Sequence, residues 1–183
     1  MVGKKQMTEQ THIWIARLFL VGLAVFAFYY PYMFFTTGWP YAFAGPESWQ
    51  GYWIVEDDVL VPFPARLGQF LMWLPTVLAT QGMTLVSMWL VILLIRGIYF
   101  EPRTVRALQW VGALAALAGA TSLIAQTFNP WLLTLYNADK HWPIRFHFDS
   151  GEIGVLLVGL GLFLLGRVLH LTVLLNRENK EFV

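Results

Sequence analysis

Apolar residues in this chain gather into four long runs, about Ile13–Phe35, Leu67–Ile95, Val105–Phe128 and Ile153–Leu175. Most charged residues lie between or beyond them. Each run is apolar around its whole circumference rather than along one stripe, the pattern expected where lipid replaces water outside a helix. About 20 such residues at 1.5 Å each cross a hydrocarbon core of roughly 30 Å. The second run, about 29 residues or roughly 43 Å as one helix, is longer than that and must tilt or begin outside the hydrocarbon. Pro75 offers it a place to kink. The pattern predicts an all-α integral membrane protein: a four-transmembrane-helix bundle forming a single membrane domain, with outer loops at about 36–66 and 129–152.

The short charged segments set the orientation. Lys4 and Lys5 precede the first run, with Arg17 just inside it. Arg96, Arg103 and Arg106 surround the connection between the second and third runs, against Glu101. The first outer loop instead carries Glu47, Glu56, Asp57 and Asp58, with Arg66 at its end. Lys and Arg mark cytoplasmic segments, so the tail and the middle connection lie inside. An even number of spans returns the C-terminus to that side, giving an N-in/C-in protein of a bacterial cytoplasmic membrane. A cleaved signal peptide, with Lys4 and Lys5 as its start and Ala42-Phe43-Ala44 as its cleavage site, is the competing reading. Its apolar core would usually span about 7–15 residues, and the first run is longer.

Composition agrees. Hydrophobic residues make up 57% of the 183 and charged residues only 13%, against about 25% charged in a soluble domain. Twelve basic and 11 acidic residues leave a net charge of +1, which gives no basic footprint for direct nucleic-acid binding. The absence of cysteine removes disulfides, thiolate metal sites and Cys nucleophiles. Both outer loops fall below the roughly 40 residues at which a segment without disulfides or metal folds alone.

Candidate chemistry is sparse. The first outer loop is aromatic, with Trp39, Tyr41, Trp49, Tyr52 and Trp53. It reads as an interfacial belt at the headgroups, or as a docking surface for a partner or an apolar ligand. His141 and His147 share the second outer loop with Asp139, Asp149 and Glu152. Their spacing matches no compact metal motif, so no metal site is expected. In the fourth run Arg167 and His170 lie one turn apart, and His170 follows Gly166 by four residues. This spacing is similar to that with which single-helix light-harvesting peptides present a ligand to bacteriochlorophyll. His12, on the same membrane side, would be the second axial ligand if His170 held a haem. The bland reading, an interfacial histidine with no cofactor, is preferred.

No carboxylate stands mid-span, so a proton or ion pathway lacks its usual carriers. Gln69, Gln81, Thr84, Ser87 and Gln126 suffice for interhelical hydrogen bonds. There is no GxSxG, P-loop or HExxH, and no catalytic residue is expected. Gly112, Ala116 and Ala120 form a small-xxx-small ladder, and Gly154, Gly159, Gly161 and Gly166 add small surface on the fourth run. Such residues let helices approach closely. Internal packing is the first expectation, and pairing with another protein's helix the second.

Several segments together resemble one family. Pro62-Phe63-Pro64 opens a Leu-rich second span that leads into Arg96-Gly97-Ile98-Tyr99-Phe100-Glu101-Pro102-Arg103-Thr104-Val105-Arg106-Ala107-Leu108. The chain ends Arg177-Glu178-Asn179-Lys180-Glu181-Phe182-Val183. This is similar to the small bacterial membrane proteins grouped as domain of unknown function 2975 (DUF2975). That family's pattern has a Gly-x-x-Phe-(Ser/Thr)-x-x-(Asn/Thr)-Val-x-x-Leu middle loop and a Glu-Asn-x-x-Phe-Val ending. The resemblance covers most of residues 54–183, and the Trp-rich first loop departs from it. It implies a four-span architecture, no reaction, and, by association, a small helix-turn-helix regulator as partner. The resulting expectation is a non-enzymatic membrane protein acting through contacts with another membrane protein or a small cytoplasmic regulator. The alternative is an accessory subunit of a larger respiratory or photosynthetic complex. A transporter or membrane enzyme is the third reading, weakened by the missing motifs.

Overall fold

The computed structural model describes the backbone of residues 2–38, 61–99, 101–135 and 150–181, with side chains over 12–36, 61–99, 101–135 and 150–175. Trp39, Trp49, Trp53, His141 and His147 lie outside the described residues. Within them the chain is entirely helical apart from short turns. Helix α1 is Val2–Met33, continued by a π-helical turn over Phe34–Gly38. Helix α2 is Phe63–Ile95, α3 is Pro102–Thr134 and α4 is Ser150–Glu181. All four contain a stretch long and apolar enough to cross a membrane: His12–Thr36, Phe63–Ile95, Pro102–Thr134 and Ser150–Leu175.

The helices pack in chain order as antiparallel neighbours. The most extensive interface joins α3 to α4, followed by α2 with α3 and then α1 with α2. Helix α3, which takes part in both of the larger interfaces, is accordingly the most buried. Where α2 meets α3, Leu132 and Leu114 side chains close over Gly68 and Gly82. The Thr76 hydroxyl donates to Thr121 Oγ1 at 2.9 Å. Neither threonine is among the polar residues that the sequence singled out for such bonds. Thr84, Thr127 and Thr134 instead turn their hydroxyls back to carbonyls four residues earlier in their own helices, so they stay satisfied in an apolar setting. Helix α2 runs unbroken through Pro75.

Helix α1 is the lightly held edge. No residue between His12 and Thr36 is buried. Ile13, Ala16, Leu20, Leu23, Ala27 and Tyr30 are half-buried, and their alternating steps of three and four keep one seam facing a neighbour. The Phe34 ring stacks on Phe70 of α2 with centroids 5.0 Å apart, fastening the far end.

The connection between α2 and α3 is built rather than slack. Gly97 takes φ +77°, a left-handed conformation that costs glycine nothing. The Ile98 amide donates to the Leu93 carbonyl and the Gly97 amide to Leu94, both at 3.0 Å, the paired bonds of a Schellman helix end. Pro102 then opens α3, where its missing N–H is no loss. The Thr104 hydroxyl, itself buried, donates back to the Ile98 carbonyl at 2.8 Å and clamps the turn against the new helix. This accounts physically for Gly97 and Thr104 of the middle motif. Glu101, the N-cap of α3, makes no side-chain capping bond.

Candidate functional site

The seam between α3 and α4 is the feature with the most specific geometry. A Cβ placed on Gly112 would lie 2.7 Å from the Gly159 carbonyl oxygen and 2.8 Å from Phe163 Cα. One placed on Gly159 would lie 2.8 Å from the Gly112 carbonyl oxygen and 2.9 Å from the Ala115 carbonyl carbon, and would also fall on the Ala116 amide nitrogen. Gly119 meets the Leu156 backbone in the same way, with 2.8 Å to its nitrogen, and Gly166 meets Gln109. Only hydrogen fits at these positions. Glycine here permits backbone-to-backbone contact between the helices, where many small dispersion attractions add up.

This register differs in its steps from the ladder read from the sequence. The seam on α3 runs Gln109, Gly112, Ala116 and Gly119, and on α4 Leu156, Gly159, Phe163 and Gly166. Steps alternate between three and four residues. A strict step of four, through Ala120, drifts about 40° around the helix each time. Gly119 therefore takes the place expected of Ala120, which is half-buried. Gly112 and Ala116 lie in the seam as expected. Gly154 and Gly161 do not, since a Cβ on either would meet nothing within 4 Å. Each follows a seam-facing residue, Glu152 or Gly159, by two positions and so stands about 200° round the helix.

At the Phe63 end of the bundle the seam becomes polar. Gln126 donates its side-chain N–H to Glu152 Oε1, joining α3 to α4. Glu152 Oε2, Asn129 Oδ1 and the Arg66 Nε and Nη1 atoms are buried and have no hydrogen-bond partner among the described residues. Sequence reading named Gln126 but missed its partner, because a glutamate two residues into a helix resembles any loop-end charge.

At the Pro102 end, His170 occupies the next seam position after Gly166, half-buried, with Nδ1 buried and unpartnered. His12 belongs to α1, whose main contact is with α2, whereas α4 packs chiefly on α3. His12 and His170 thus stand on helices that share no extensive interface. No cluster of three or more metal-ligating side chains occurs among the described residues.

No family model, curated protein or solved structure matches this chain. The geometry has to carry the functional argument. What it offers is two glycine pairs on one helix, each seven residues apart. Gly159 and Gly166 are occupied by α3, while Gly154 and Gly161 are open.

Proposed function

We propose that this is a non-catalytic multi-pass protein of the bacterial cytoplasmic membrane that acts by binding another membrane protein through the outward face of α4. The observation that carries this reading is the open pair Gly154 and Gly161, which repeats on the outside the seven-residue glycine spacing used inside. A second helix laid on that face meets the same small surface that α3 meets at Gly159 and Gly166. Close backbone approach favours such pairing in lipid. Under this reading the sequence's alternative, an accessory subunit of a larger membrane complex, gains over a purely cytoplasmic regulator as partner.

In the proposed topology both termini and the α2–α3 turn face the cytoplasm, supported by Arg17, Arg96, Arg103 and Arg106 at that end. Helices α2 and α3 have 33 residues each, about 50 Å against a core of roughly 30 Å. In this reading the surplus falls at the Phe63 end, where half-buried Arg66, Gln69 and Gln126 and buried Asn129 make the bundle polar. The second span thus begins outside the hydrocarbon, one of the two options its length allowed. Membership of the DUF2975 family is proposed from the two sequence motifs alone.

Purification in mild detergent, followed by mass spectrometry of whatever co-migrates, tests the proposal. The account expects a stoichiometric membrane partner that is lost in Gly161→Leu while the variant keeps its own thermal stability. A partner retained in Gly161→Leu would contradict the assignment of this face.

A further inference from the structure

We propose that the exposed ridge of α3 beginning at Arg103 and Arg106 is a binding surface for an anionic phospholipid, whose phosphate is held between Arg106 and Arg167 of α4. The proposal rests on the reading of this chain as a membrane protein.

Arg103, Arg106, Trp110, Leu117 and Ile124 are all exposed. They succeed one another by steps of three, four, seven and seven, so they form one line along the helix. The order along that line is guanidinium, guanidinium, indole, aliphatic, aliphatic. A lipid presents the same order as phosphate, glycerol region and acyl chain. The lengths agree as well: Arg106 to Leu117 is 11 residues, about 16 Å, close to half of a roughly 30 Å hydrocarbon core.

Arg167 joins this surface through the register of the seam. It follows Gly166, which packs on Gln109, and Arg106 precedes Gln109 by three residues. The two arginines therefore leave neighbouring helices within about one turn of the same depth. Both are exposed, and neither forms an ion pair among the described residues. A phosphate between them accepts from two planar donor groups at once, the geometry for which arginine is suited.

The charge at this end selects the headgroup. The charged residues with described side chains there are Arg17, Arg96, Glu101, Arg103, Arg106 and Arg167, five cations to one anion. A choline or ethanolamine headgroup adds its own cation to that field. Phosphatidylglycerol leaves the phosphate unopposed.

The full chain is reconstituted in nanodiscs of phosphatidylcholine alone or with added phosphatidylglycerol. Melting temperature and phosphatidylglycerol retained after detergent washing are then measured. The wild type should retain phosphatidylglycerol and melt higher in its presence. Arg106→Gln/Arg167→Gln should retain roughly twenty-five-fold less, at about fivefold per arginine, with unchanged melting in phosphatidylcholine. Arg17→Gln, on the far helix, should behave as wild type. Equal retention by the double variant would overturn the proposal. So would stabilisation of the wild type by inorganic phosphate alone, or a dimer lost in the double variant, which would give the ridge to a free anion or a second copy. Failure of the wild type to enter a bilayer would overturn the membrane reading itself, and it is distinguishable because it precedes any mutation.

Discussion

Gly112 and Gly159 face each other across the α3–α4 seam so closely that each would set a Cβ under 3 Å from the other's carbonyl oxygen. The atoms in the way are backbone, which cannot swing aside as a side chain does. Gly112→Ala or Gly159→Ala must therefore separate two helices, and overpacking of this kind costs about 1–3 kcal/mol. Thermal unfolding in detergent should show each variant melting several degrees below wild type, at about 2–4 °C per kcal/mol. Gly161→Ala, two residues on and open, should melt as wild type does.

The α2–α3 turn makes three predictions of different sign. Thr104→Val removes the hydroxyl that holds the Ile98 carbonyl and should cost about 0.5–1.5 kcal/mol. Gly97→Ala forces a side chain into the left-handed region and should cost about 1 kcal/mol. Glu101→Ser, by contrast, supplies the missing cap and should stabilise by about 0.5–1 kcal/mol. The same melting assay reads all three, and a destabilised Glu101→Ser would argue against the capping account.

Gln126 and Glu152 join α3 to α4 where the glycine seam ends. A double-mutant cycle with Gln126→Leu and Glu152→Leu should give a coupling energy of about 1 kcal/mol, within the range for hydrogen bonds between membrane helices. Additive effects of the two substitutions would show that the bond contributes nothing to holding the helices together.

The four helices were legible because each contains a run long and apolar enough to cross a membrane, and such runs leave a coarse trace in the sequence. Their ends were less so. Helix α2 starts at Phe63 rather than Leu67, and α3 continues to Thr134 rather than Phe128. Hydropathy marks where the apolar run stops, whereas Arg66 and Asn129 lie in helix outside the runs. The turn was readable from Gly97 and Pro102, whose conformational demands are local. The seam was not, because Gly154 with Gly161 and Gly159 with Gly166 have the same spacing. Only the packing of α3 decides which pair is inside.

Four spans with both ends in the cytoplasm can be tested directly, since the chain has no cysteine to give background. Single cysteines at Val183, at Glu101 and within 46–59 would be treated in intact cells with a membrane-impermeant maleimide. The account predicts labelling within 46–59 at once, and labelling at Val183 and Glu101 only after the membrane is opened. Labelling of Val183 or Glu101 in intact cells, with 46–59 protected, would contradict it.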